Sequence, residues 1–484
     1  MSSNAEFPNG ISGKGGSADL ENDDHPPLPP PLDTSPRAWL TVVGGFACSF
    51  TTFGWATSIG VFQAHYSTHQ LRSYTPSTIA WIPSVETAML FLGVCVFGSL
   101  FDALGPTLLL AIGTVLHVGG LLGLASATTY PQIFFTQSVI SAAGTGAIFV
   151  AGTAAVGTWF RARRGLALGL VSSGSAVGAV VGTAGIPALT ARVGFGWTIR
   201  AVALLYLALM LVAMAMTSRR PVVAANANAN ANTRSSKKTT SPPPPPPSFS
   251  SRVSRLLPVS LLRRATVFWL ALASFFFNLG FFIPYDFVVV EARDAGDGLP
   301  SANHLLVILS ATSIIGRIIP GWLSDRHGRF NTTIAFGLFT IVLVFAVWIG
   351  APSRQGRIAF AALYGFGSGT FIAMVPALVA QICPDDVQQQ QLGAYLGAVY
   401  IAIAPSVLIN QPIAGALASA GGMGQGQGQG EGSSRNSSGG RDDDEYIWLK
   451  VFCGLAMSVG VCGFVVTRAA YLGDIGKPWK WAKV

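Results

Sequence analysis

Hydrophobic residues are grouped along the chain in twelve long blocks separated by polar stretches. An α-helix needs about 20 apolar residues to cross the ~30 Å hydrocarbon layer of a bilayer. The blocks predict spans at 38–62, 77–101, 107–126, 131–157, 165–190 and 196–217, then at 265–290, 303–323, 331–350, 357–381, 390–418 and 446–468. Because helices satisfy their own backbone groups in lipid, the pattern predicts an all-α membrane protein with twelve transmembrane helices.

The polar stretches divide the chain into two halves. We expect six-helix bundles at 38–217 and 265–468, joined by a flexible linker at 218–264 that contains six consecutive prolines. Both ends of the chain, 1–37 and 469–484, are predicted to be cytoplasmic tails, the first of them disordered. The Gly/Gln/Ser-rich segment 419–445 is predicted to be a disordered external loop.

Composition and charge support this arrangement. Half of the residues (50%) are hydrophobic and only 11% are charged, against about 25% in soluble domains. With both termini inside, the predicted cytoplasmic segments hold more than twice as many Lys and Arg as the external loops. The net charge of +9 therefore follows the positive-inside rule and does not indicate nucleic-acid binding. The five cysteines show no metal-site spacing, and we expect neither a metal nor a cofactor.

One short loop pattern occurs twice, at equivalent positions of the two halves. The pattern G-x-L-x-D-x-x-G follows the second and the eighth predicted spans, with its functional positions at Gly98, Asp102, Gly105, Gly321, Asp325, Arg326 and Gly328. The glycines allow a tight turn and close helix contact, and the aspartate can face the N-terminus of a neighbouring helix or a basic group. A tight loop with a solvated aspartate is the alternative, but the repetition favours a contact that switches between conformations.

The paired motif resembles the loop signature of the major facilitator superfamily. The second copy is the fuller match, with Arg326 and Arg329 in the basic positions, whereas the first has Ala103 and Pro106 there. The resemblance implies two six-helix bundles with a cavity between them near the membrane midplane, and secondary transport by alternating access.

Two further segments are distinctive, the aromatic and basic stretch at 159–170 and the segment 315–321. They resemble the signature of the monocarboxylate porter family, in particular its fungal branch. Thr57 and Ser313 stand where relatives that carry lactate with protons have a lysine and an aspartate. Simple proton–lactate symport is therefore not implied.

Ionisable residues inside spans are the main functional candidates, because a charge in hydrocarbon is costly. Arg317 matches the arginine that the resemblance implies in binding an anionic substrate; its alternative is an interhelical clamp. Glu86 is a candidate proton carrier or a neutral hydrogen-bonded group, and Asp286 a gating or binding residue. Further candidates for lining a substrate cavity are Asn278, Tyr364, Tyr400, Asn410 and Gln411.

These features predict a multi-pass transporter of a small organic molecule, with a carboxylate-bearing metabolite as the expected substrate and efflux of a secondary metabolite favoured. The alternative is proton-coupled uptake of a monocarboxylate or other nutrient, and a more remote one is a membrane receptor or scaffold. We find no motif of an enzyme or of an ATP-driven pump. We expect a monomeric unit in the plasma membrane, with protons as possible co-substrates and glycosylation at Asn436.

Overall fold

A computed structural model describes residues 32–219, 258–296, 298–384, 388–422 and 446–474. Most of both predicted tails, of the linker and of the predicted external loop, including Asn436, lies outside the described residues.

The described part of the chain contains twelve successive membrane-spanning helices. The N-terminal half contains α1 (Pro36–Thr57, continued by Ile59–Thr68), α2 (Pro76–Leu104), α3 (Pro106–Leu124), α4 (Tyr130–Trp159), α5 (Arg164–Val193) and α6 (Phe195–Met216). The C-terminal half contains α7 (Ala265–Asp294), α8 (Leu299–His327), α9 (Arg329–Ile349), α10 (Arg354–Ile382), α11 (Gln388–Gly422) and α12 (Ile447–Asp474). Eleven of these are long and apolar enough to cross a membrane, and α1, which is rich in Gly, Ser and Thr, supplies the twelfth.

Several helices extend beyond the predicted bounds. The last helix reaches Asp474, inside the predicted tail, and α11 reaches Gly422, inside the predicted external loop. A short 3₁₀ helix at Pro258–Arg263 precedes α7 where linker was expected. The physical reason is that the prediction ended each span where hydropathy fell, whereas helices continue past the hydrocarbon into the polar interface.

The glycines of α5 allow this helix to pack closely against α1. A Cβ atom at Gly174 would lie 2.2 Å from the carbonyl oxygen of Phe46, and one at Gly178 would lie 2.5 Å from that of Phe50. Such distances exclude any side chain, so the spacing of small residues sets the contact.

The two halves meet through two pairs of long helices. Helix α2 packs against α11, and α5 packs against α8. Large apolar side chains remain exposed on the outside of the bundle, including Val115 (73% exposed), Trp197 (64%) and Trp448 (63%). An apolar exterior of this kind is suited to lipid and not to water.

Candidate functional site

An aspartate at the end of α8 joins the C-terminal half to the N-terminal half. The Asp325 carboxylate accepts hydrogen bonds from the backbone nitrogens of Gly165, at 2.8 Å, and Leu166, at 2.9 Å. Helix α5 begins at Arg164, so both donors lie in a first turn whose N–H groups lack partners within the helix. The negative charge also complements the positive end of the helix dipole.

A second aspartate makes the same kind of contact, but it joins the N-terminal half to the C-terminal half. The Asp102 carboxylate, near the end of α2, accepts hydrogen bonds from the backbone nitrogens of Gly393, at 3.0 Å, and Ala394, at 2.8 Å, in α11. We call the two contacts the aspartate latches, and the membrane face at which they lie the latch face. In both copies of the loop motif, the aspartate accepts hydrogen bonds from backbone nitrogens of a helix in the other half.

A glycine one turn before each aspartate lets the helix backbones touch. A Cβ atom at Gly98 would lie 2.2 Å from the carbonyl oxygen of Gly393. A Cβ atom at Gly321 would lie 2.6 Å from the carbonyl oxygen of Gly165. The latch face can therefore close in this form only when both motif positions lack a side chain.

The last glycine of each motif makes the turn into the next helix. Gly105 has φ 80° and Gly328 has φ 96°, a left-handed conformation that other residues rarely adopt. Each turn sets the direction in which the following helix leaves the latch.

The basic residues of the second motif lie in different surroundings. The guanidinium of Arg329 lies 3.4 Å from the Asp325 carboxylate and supports the latch directly. Arg326 instead stacks over the Trp322 ring, with 3.9 Å between its guanidinium carbon and the ring centroid.

The first latch obtains a basic neighbour from elsewhere in the chain. Arg219, just after α6, donates from Nη1 to the backbone oxygen of Asp102 at 3.1 Å. Sequence reasoning missed this residue, because it was assigned to the linker and the motif itself has Ala103 and Pro106 in the basic positions.

A cavity lies between the two halves, farther into the membrane than the latches. It is narrow in this conformation, with a volume of about 30 Å³, and is lined by both halves. Its wall is mainly aromatic, with the phenylalanines Phe53, Phe91, Phe149, Phe281, Phe282 and Phe371. Sequence reasoning missed them, because a phenylalanine in a transmembrane helix is equally typical of a lipid-facing or a core position.

Two of the five residues predicted to line a cavity do so. Asn278 and Tyr400 belong to the cavity wall, where the Tyr400 ring packs 5.7 Å from Phe91 and 5.8 Å from Phe149, centroid to centroid. Tyr364 is fully buried elsewhere, and its hydroxyl donates to the backbone oxygen of Phe281 at 2.8 Å.

Arg317 lies in the contact between α5 and α8 and is 2% exposed. Its Nη1 donates to the backbone oxygen of Ser172 at 2.5 Å and to the Ser175 hydroxyl, both in the other half. Its Nε has no hydrogen-bond partner, and no carboxylate pairs with it, among the described residues. The structure therefore places a buried cation at the seam, held by neutral oxygens.

Glu86 lies inside the N-terminal half and is 2% exposed. One carboxylate oxygen accepts from Trp55 Nε1 at 2.6 Å and the other from Gln137 Nε2 at 2.7 Å, while Tyr66 donates to the Gln137 oxygen at 2.6 Å. Gln137 is in a π-helical segment of α4, Phe134–Ser141, a distortion often found at functional positions. Neutral donors alone surround this carboxylate among the residues described, an environment in which a proton can be bound.

Asp286 lies in the second part of α7 and accepts a hydrogen bond from the Gln411 side chain of α11.

A second acidic residue of α7, Glu291, is paired with a cation. Its carboxylate lies 2.6 Å from the Lys450 ammonium of α12 and accepts from Trp348 Nε1 at 2.7 Å. Lys450 lies within α12, inside the predicted span 446–468, and is 2% exposed.

We expect Lys450→Met to destabilise the protein by about 3–5 kcal/mol, because the substitution leaves the Glu291 carboxylate buried without its cation. Thermal unfolding of the purified protein in detergent measures the effect. The double variant Lys450→Met/Glu291→Gln should regain most of the lost stability. A single variant as stable as the wild type would show that the pair does not contribute.

The comparisons with known proteins agree with this architecture. A family model described as Major Facilitator Superfamily matches residues 41–407. The MFS-type transporter opdF of Penicillium oxalicum is 34% identical over 450 residues, covering 93% of this chain and 94% of that protein. The fujikurins efflux protein of Gibberella fujikuroi is 31% identical over 446 residues, covering 91% and 84%. In fold, the chain is similar to the E. coli fucose:proton symporter FucP, with a TM-score of 0.58 and 17% identity over 88% of this chain and 98% of that chain.

Proposed function

Because the chain belongs to the Major Facilitator Superfamily, we propose that it exports an apolar, aromatic secondary metabolite by alternating access. The observation that carries the substrate class is the phenylalanine-lined cavity between the halves. Rings pack well against rings, and a wall with few polar groups favours a largely apolar body. Export is supported by relatives that include proteins named for the efflux of fujikurins, agnestins and aspyridones.

A carboxylate on the substrate would be recognised by Arg317. A planar guanidinium can bind a carboxylate through two parallel hydrogen bonds, and its Nε is unpartnered among the described residues. This residue also supports the narrower relationship to monocarboxylate porters. Uptake of a small nutrient acid is the second candidate, but the six phenylalanines of the cavity favour a more apolar molecule.

We also propose a membrane topology, an oligomeric state and a location for the protein. We place the latch face in the cytoplasm, because the basic segments beside the aspartate latches follow the positive-inside rule. Residues 218–264 are then cytoplasmic, and Asn436 is external and open to glycosylation. The transport unit is a monomer in the plasma membrane.

Membrane vesicles with the latch face outward, from a yeast host that produces the protein, test the function. With an imposed proton gradient, they should accumulate aryl carboxylic acids and neutral aryl compounds more than vesicles from the parent strain. Accumulation should disappear when a protonophore collapses the gradient. Equal accumulation in the two strains would contradict the proposal.

Glu86 is the proposed proton carrier, since its carboxylate is buried and contacted by neutral donors. The nearly isosteric Glu86→Gln should fold normally and still exchange substrate across the membrane. Its transport should no longer respond to a pH gradient, whereas wild-type transport should rise with the gradient. Flux at several imposed gradients measures this. An unchanged response would make Glu86 a structural residue.

A further inference from the structure

Asn410 is a buried amide whose hydrogen-bonding groups are unused. The residue is 1% exposed, and neither its amide nitrogen nor its amide oxygen has a partner among the described residues. Buried amides in proteins are nearly always hydrogen-bonded, so one with both groups unpartnered indicates a missing partner.

The position of Asn410 on α11 relates it to the central cavity. Ile403 of the same helix lines the cavity. Seven residues correspond to almost two full turns of an α-helix, so Asn410 lies on the same face as Ile403, about 10 Å farther from the latch face.

A polar chain connects the cavity wall to this level of the helix. The cavity residue Asn278 donates from its amide nitrogen to the Ser406 hydroxyl at 3.1 Å. Ser406 in turn donates to the backbone oxygen of Ile403 at 2.7 Å and lies one helical turn before Asn410. The side next to α7 is also polar at this height, because Gln411 donates to Asp286.

We propose that Asn410, with Asn278, forms a hydrogen-bonding subsite at the end of the cavity away from the latch face. Its ligand class is a neutral group with an acceptor and a donor side by side, as in a carboxamide or a lactam. The amide oxygen of Asn410 needs a donor and its nitrogen needs an acceptor. A carboxylate offers acceptors alone and would leave the amide oxygen unpartnered. This inference rests on the proposed function. It adds that the substrate has a neutral polar group at one end of its aromatic body, and that Asn410 and Asn278 bind this group.

The test uses the purified full chain in lipid nanodiscs and two aryl probes of similar shape. Biphenyl-4-carboxamide offers the acceptor and the donor, whereas 4-acetylbiphenyl offers the acceptor alone. The carboxamide should bind wild type about tenfold more tightly, as expected for an added hydrogen bond in a buried site. In Asn410→Leu the two affinities should become equal, because neither probe can then hydrogen-bond to an amide at this position. Equilibrium dialysis measures both.

The control variant is Thr153→Val, which removes another buried and unpartnered polar group, in the N-terminal half. It should keep the tenfold preference. If Asn410→Leu does not fold, Asn410→Ala replaces it with the same expectation. A preference that persists in the Asn410 variants, or its absence from wild type, would overturn the subsite and indicate a water-filled position. Failure of both probes to bind wild type would instead contradict the aromatic substrate class, and the subsite with it.

Discussion

Replacing Gly98 with valine should lower transport by up to about 100-fold while the protein still reaches the membrane. In the closed arrangement a Cβ atom at this position would lie 2.2 Å from the carbonyl oxygen of Gly393, which belongs to the backbone and cannot move aside alone. Overpacking of this kind costs about 1–3 kcal/mol, and at the upper end it shifts the equilibrium by roughly 100-fold against the closed latch face. A transporter held open at one face cannot complete its cycle.

Gly119 provides the matched control for this experiment. It lies in α3, is exposed, and has nothing within 4 Å of the position that a Cβ atom would occupy. Gly119→Val should therefore transport at nearly the wild-type rate. Labelling of a cysteine at the latch face by a thiol reagent distinguishes the variants, because this labelling should increase in Gly98→Val alone. Normal transport by Gly98→Val would show that the closed arrangement is not part of the cycle.

Arg317→Ala should lower the flux of an aryl carboxylate by about 100-fold, because hydrogen bonds to a charged group contribute about 1.5–3 kcal/mol. The flux of a matched neutral aryl compound should fall by less than about tenfold, since it loses only the contact between α5 and α8. Arg317→Lys retains the charge but not the planar guanidinium and should lie between the two. Initial rates in proteoliposomes measure all three.

Arg326→Ala is the control for the loss of an arginine from α8. Its guanidinium stacks over Trp322 and is exposed, so flux of both compounds should stay near wild type. Equal losses for the acid and the neutral compound in Arg317→Ala would assign Arg317 to the clamp between the halves. The bonds to Ser172 and Ser175 would then be its whole function.

The aspartate latches show what the sequence can predict. Asp102 and Asp325 stand out because the same pattern occurs at equivalent places in both halves. Their partners could not be named, because α5 and α11 meet these aspartates only through the tertiary fold. Arg219 was missed for the same reason: it is distant in sequence from the aspartate that it supports.

The cavity shows where sequence reasoning ends. Arg317 and Glu86 were identified because charged residues are rare inside spans. Their positions along a span do not indicate which surface of the helix each side chain faces. The structure puts Arg317 at a seam and Glu86 within one bundle, while Phe53 and Phe149 line the cavity. Aromatic residues are common in transmembrane helices, so their positions in the sequence do not indicate a binding surface.

Flux of aryl compounds through the purified protein in proteoliposomes, with a proton gradient imposed, decides whether the protein carries such compounds through a cycle that closes the latch face. We expect saturable flux in wild type and in Gly119→Val, and flux up to about 100-fold lower in Gly98→Val. Wild-type vesicles that carry no aryl compound, or Gly98→Val vesicles that carry one as fast as wild type, would contradict the proposal.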